Sequence, residues 1–199
     1  VIAASHLIRS LDLSPMGTVM HPKFPAIAVI HDSVPKHPVR VYQGDGLGVF
    51  TSEIQFPPEN DAYFGETVLE WFTKGGFERL YVVDGVISND LGIKEDSDLW
   101  GVSSKPIGRE ALDSAGINRI QNGIVSGITG YLIAEGERRG LEITALLAEC
   151  NPMYPDARAA LIAIDGLSDL MDMEIPVQEL LEDAKEIEQK VREAFERAQ

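Results

Sequence analysis

Cations are scarce in this chain: 17 Lys and Arg face 32 Asp and Glu over 199 residues, a formal net charge of −15. So acidic a surface repels phosphate backbones and anionic membranes. Nucleic acid and membrane are therefore excluded as main partners, while a basic protein partner stays open. Cysteine is nearly absent. Cys150 stands alone, so no internal disulfide forms and a reducing cytoplasm is the default location. Long apolar runs are missing too. None reaches the ~20 residues that a bilayer crossing needs, and no secretory leader is visible.

What is present is ordinary for a globular protein: 44% hydrophobic and 25% charged residues. The length fits one domain, residues 1–199, better than two.

Residues 122–149 organise the rest of the chain and read as loop, helix, tight turn, strand. Ser126 is placed to cap the helix, and Ile128, Leu132 and Ile133 give it one apolar face. Gly127, Gly130 and Ala134 allow close approach to a neighbour. Arg138 and Arg139 suit the negative end of the helix dipole, and Gly140 stops it. Residues 143–147 are almost wholly apolar, as in a strand buried on both faces. Such a unit belongs to an α/β fold with a mostly parallel central sheet.

Around this unit the pattern predicts a helix over 2–11, a loop over 12–25 and strands over 26–30, 39–42 and 47–54. The last two are joined by Gly44-Asp45-Gly46 as an antiparallel hairpin, so the sheet is mixed. A helix follows over 62–73, then a strand over 80–87 interrupted at Asp84-Gly85. A short strand is expected over 99–102, a helical turn over 109–115, and a helix from Pro155. The buried strands of the central sheet should include 26–30, 80–83 and 143–147. The final segment, 174–199, reads as an amphipathic helix. Its apolar positions Val177, Leu180, Ala184, Ile187 and Val191 alternate by three and four, a coiled-coil-like seam. Either the seam packs on its own domain, or Val177, Leu180, Ile187 and Val191 meet another subunit.

The search for chemistry finds little. Gly123, Gly127 and Gly130 open a helix, but their spacing matches neither nucleotide fingerprint and no lysine follows. His6, His21, His31 and His37 form no metal-ligand pattern, so no metal and no cofactor are expected. Cys150 beside Glu149 is a poor nucleophile, because a neighbouring carboxylate raises a thiol's pKa. The best catalytic pair is Asp84 with Glu149, near the C-terminal ends of two predicted strands, where open α/β sheets bind ligands. Asn122 or Asn151 would orient a substrate there.

Several blocks taken together resemble the proteasome assembly chaperone family in its archaeal and bacterial form. They are Ser5-His6-Leu7-Ile8, Phe24-Pro25 through His31-Asp32, and His37-Pro38-Val39-Arg40-Val41-Tyr42. Gly44-Asp45 with Val49 to Ile54, Gly127-Ile128-Thr129-Gly130 through Glu149, and Tyr154-Pro155-Asp156 with Arg158-Ala159-Ala160 complete the set. The resemblance implies a three-layer αβα fold like that of nucleoside phosphorylases and related hydrolases, and it implies homo-oligomers. It further implies a non-enzymatic role in binding proteasome α subunits or a related assembly. It also implies a glycine-rich strand and loop before the first helix. Some archaeal members end in a hydrophobic–Tyr–X tail, whereas this sequence ends Arg197-Ala198-Gln199. The alternative is an enzyme on the same scaffold, a hydrolase or ligase of a small polar substrate using Asp84 and Glu149.

Overall fold

A computed structural model describes residues 1–87, 98–152, 154–182 and 184–185. In chain order the elements are α1 (Ile2–Ser10), β1 (Ser14–Thr18), β2 (Val29–His31), β3 (Val34–Lys36), β4 (Val39–Gly44) and β5 (Leu47–Ser52). A 3-10 turn at Pro58–Asn60 leads into α2 (Asp61–Lys74), followed by β6 (Arg79–Ile87), β7 (Leu99–Ser103), α3 (Pro106–Ser114) and β8 (Asn118–Arg119). The series closes with α4 (Gly127–Arg139), β9 (Glu142–Cys150) and α5 (Ala157–Met171). Residues 178–182 and 184–185 are helical.

The central sheet has the order β6-β9-β7-β8. β9 runs parallel to β6 and antiparallel to β7, so the sheet is mixed. β9 sits inside it because Ile143 to Ala148 carry no charge and are all buried. Side chains alternate across the sheet, and the two faces meet different helices. Ile143 and Leu80 join Phe64, Val68, Leu69 and Phe72 of α2 and Leu132 of α4. Leu146 joins α1, α3 and α5 through Leu7, Leu112, Ile164 and Leu167. Helices thus cover both faces of a mixed α/β sheet.

A second sheet, β1-β4-β5, is antiparallel. Its β4–β5 hairpin closes at Asp45-Gly46, both with positive φ (48° and 79°), as a two-residue turn requires. β1 lies in the stretch expected to be loop. Pro15 is tolerated there because β1 is an edge, and the register slips between Pro15 and Gly17.

Residues 26–30 do not form a strand of the central sheet. Only Val29 to His31 are extended, paired with β3 alone, and Ile27 and Ile30 are exposed. Pro22, Pro25, Pro35 and Pro38 surround this run and remove the amide donors that an interior strand needs. An all-apolar run of five residues is equally compatible with an exposed ribbon once its partners are denied. β6 also departs from expectation, since it passes through Asp84-Gly85 unbroken. A Cβ at Gly85 would stand 2.7 Å from the Cys150 sulfur, so the glycine fits the strand to its neighbour. Among the described residues β6 pairs with β9 alone, and it buries Leu80 but leaves Val83 exposed.

α2 and α4 are tied by an ion lattice. Arg139 donates to Glu66 (Nη1 to Oε1, 3.0 Å), and Tyr131 donates to the same carboxylate at 3.1 Å. Arg138 and Arg139 both donate to Glu135. Hydrogen bonds first from Arg138 and then from Arg139 hold the Glu135 carboxyl down to about 2. A depressed carboxylate stabilises the fold above its ordinary pKa, and that contribution fades as pH falls from 4.5 toward 2. Replacing Arg138 by Ala should move the Glu135 midpoint upward toward 4.5, as read by NMR titration of its side-chain carboxyl. A midpoint left near 2 would show that the Arg138 bonds do not hold it.

Candidate functional site

The C-terminal ends of β6 and β9 bring the predicted carboxylates to one face. Asp84 registers with Leu147 and Val86 with Glu149, so both acids point toward the α2/α4 layer. Two residues of offset on adjacent strands put their Cα atoms roughly 8 Å apart. Their partners differ. Thr129, buried in the first turn of α4, donates its hydroxyl to Asp84 Oδ2 at 2.6 Å. Asp84 Oδ1 accepts from the Gly85 amide at 2.8 Å. The Glu149 amide donates to the Asp98 carbonyl at 2.9 Å.

Asp84 therefore stands where the positive end of α4 favours a negative charge. Ser126 occupies the N-cap position, but its side chain makes no cap bond. The chain can approach this closely only because Gly127 has φ +71° and because a Cβ at Gly130 would lie 2.1 Å from the Val125 carbonyl oxygen. Gly127 and Gly130 thus serve the entry into α4. Gly140 ends the helix in the left-handed conformation, as expected.

Beyond β9, Asp156 holds the chain's path. Its Oδ1 accepts from the Ala159 amide at 3.0 Å, capping α5, and its Oδ2 accepts from the Asn151 amide at 2.9 Å. Asn151 is buried, and Asn122 is exposed on the loop before α4. The Cys150 thiol is pushed up by burial, then by Asp156, Asp84 and Glu149, so it stays protonated at neutral pH. Among the described residues no group of three His, Cys, Asp or Glu is placed to hold a metal. A groove of about 790 Å³ lies elsewhere, where α3 and α5 end.

Of the seam, Leu180 is fully buried and Ala184 nearly so, in the same core as α1 and α5, with Val177 packed against it. Ile187 and Val191, and the rest of the expected long helix, lie outside the described residues. Sequence reasoning missed Thr129 as a partner of Asp84, Asp156 as the clamp on Asn151, and the link from His31 Nε2 to Glu53 Oε2 (2.6 Å). Arg40 pairs with the same Glu53. Only Asp156 carried a local signal, an acid placed just before an alanine-rich helical run.

This arrangement defines a mixed α/β protein in which Thr129 and the Gly85 amide hold the Asp84 carboxylate, and comparison with known proteins agrees on the class. The chain belongs to the PAC2 family, whose model matches residues 1–194. It is similar to PbaA of Pyrococcus furiosus, an archaeal homologue of proteasome-assembly chaperone. The two are 26% identical, over 99% of this chain and 82% of that one, with a TM-score of 0.88. PbaB of the same organism, an archaeal proteasome activator, matches at 22% identity over 98% of this chain and 87% of its own, with a TM-score of 0.84. An uncharacterised protein of Methanocaldococcus jannaschii is 22% identical over 195 residues, 98% of this chain and 79% of that protein. The resemblance seen in the sequence is thereby borne out. No helix among the described residues is long and apolar enough to cross a membrane.

Proposed function

We propose that this chain is an assembly factor that acts through protein–protein contacts, binding proteasome α subunits or a related protein assembly in the cytoplasm. Its 199 residues act as one αβα unit that self-associates. The observation that carries this reading is the likeness to PbaA over nearly the whole chain, in fold and in sequence. The strand ends support it as well. Asp84, beside the start of α4, is engaged by Thr129 and Gly85, contacts that suit a structural role. Val177 and Leu180 serve the chain's own core, so the seam's share in self-association rests with Ile187 and Val191.

The test is co-sedimentation of the purified chain with purified proteasome α subunits. A stable complex is the expected result, and separate sedimentation at all concentrations would refute the partner. Asp84→Asn and Glu149→Gln should change the affinity less than about threefold, the scale of surface changes within ±0.5 kcal/mol. The enzyme reading would replace this one if either substitution abolished a measurable turnover in a still folded protein.

A further inference from the structure

The segment 14–38 forms an arm whose root is fixed and whose surface is bare. Phe24 packs between Phe56 and Phe64, with ring centroids 4.8 and 5.4 Å away. His31 bonds Glu53, the residue just after β5. Yet Met16, Met20, Ile27, Ile30 and Val34 are 47–72% exposed. Ile30 faces Pro35 across the ribbon and His31 faces Val34, so apolar side chains stand on both of its faces. A ribbon of two three-residue strands has little stability of its own in water. A group of bare apolar side chains on a rooted element marks a surface that another protein covers.

Charge identifies the cover. Between Asp12 and Asp45 the chain holds a single acid, Asp32, beside Lys23, Lys36 and Arg40. From residue 159 to 184 it holds seven acids and no Lys or Arg. In a chain of net charge −15 the arm thus carries a small cationic excess, Lys23 and Lys36 against Asp32. The acidic stretch frames the groove where α3 and α5 end, which has Ala111, Leu170 and Met173 beside Asp169, Asp172 and Glu174. Helix C-termini add partial negative charge there. Arm and groove belong to opposite layers of one chain, since Phe24 packs with α2 while Leu112, Leu167 and Leu170 pack in the other layer.

We propose that the apolar, basic arm of one copy docks on the acidic groove at the ends of α3 and α5 in a second copy. The contact is head-to-tail, because two different surfaces meet. It rests on the reading of the chain as a self-associating protein and assigns the surfaces that associate.

Sedimentation equilibrium of the whole chain tests it with two double variants, Lys23→Glu with Lys36→Glu, and Asp169→Lys with Glu174→Lys. All four side chains are exposed, so the melting temperature should hold. Each variant alone should self-associate at least about tenfold more weakly, the effect of ~1.4 kcal/mol of like-charge contact. An equimolar mixture should recover wild-type association, because each arm then meets a groove of opposite sign. Variants that associate like the wild type, or a mixture that fails to recover, would overturn the docking while leaving self-association in place. A wild-type chain monomeric at every concentration would overturn both.

Discussion

Replacing Leu180 by Asp is expected to lower the melting temperature by roughly 8–16 °C, because a domain of this size loses about 2–4 °C per kcal/mol. The estimate starts from the core. Leu180 is fully buried between α1 and α5 in company with Leu7, Leu167, Leu170 and Ile175. Truncating a buried leucine costs about 2–5 kcal/mol, and a carboxylate placed there adds a desolvation penalty unless it takes up a proton. A loss of about 4 kcal/mol is thus a conservative figure against a total of ~5–15. The segment is also pinned at its start. His6, 1% exposed, donates from Nε2 to the Pro176 carbonyl oxygen at 2.6 Å. Glu179, one position earlier and exposed, supplies the control, and Glu179→Ala should leave the melting temperature within about 2 °C. The measurement is a thermal melt followed by far-ultraviolet circular dichroism. If Leu180→Asp melts with the wild type, residues 177–184 do not close this core.

Leu180 shows what the sequence could and could not convey. Alternation by three and four announces a helix with one apolar stripe; residues 178–182 are helical, 174–177 are not, and the long helix expected over 174–199 is not supported. Alternation does not say which surface receives the stripe, because an amphipathic helix looks the same whether its partner is its own domain or another copy. Other elements were legible because a single residue decides them locally. Asp45-Gly46 dictates the hairpin turn, Gly140 the end of α4, and the uncharged run from Ile143 to Ala148 the central strand. Residues 26–30 misled because hydrophobicity alone was weighed. The surrounding prolines, which deny the run interior partners, were as visible as the run itself.

The candidate site was half legible. Asp84 and Glu149 were placed at strand ends from pattern alone, and the register confirms their shared face. Thr129 was invisible as the partner of Asp84. The two are 45 residues apart, and no local rule links a threonine in one helix to an acid in a distant strand. The arm escaped for a different reason. Its exposed Met and Ile residues read as core material until the ribbon's isolation is known.

Gly130, near the start of α4, should not tolerate alanine. Ala is the better helix former by up to about 1 kcal/mol, so propensity alone predicts that Gly130→Ala stabilises. The geometry predicts the reverse. The added methyl would lie 2.1 Å from the Val125 carbonyl oxygen and 2.8 Å from its carbon, both backbone atoms that no rotamer change can move. Relief requires the chain at Val125 to Gly127 to shift, against the left-handed Gly127 and the Asp84–Thr129 bond one residue away. Overpacking of this kind costs about 1–3 kcal/mol, which outweighs the propensity gain. The expected result is a melting temperature lower by roughly 2–8 °C, given about 2–4 °C per kcal/mol. Gly123→Ala in the loop before α4 is the comparison. Its nearest atom would be an Ile120 methyl at 3.5 Å, and Gly123 does not have a positive φ. That variant should melt with the wild type or slightly above it, since replacing a compatible glycine narrows the unfolded ensemble. If both variants melt alike, the close approach at Val125 does not govern the start of α4, and the anchoring of Asp84 by Thr129 needs another cause.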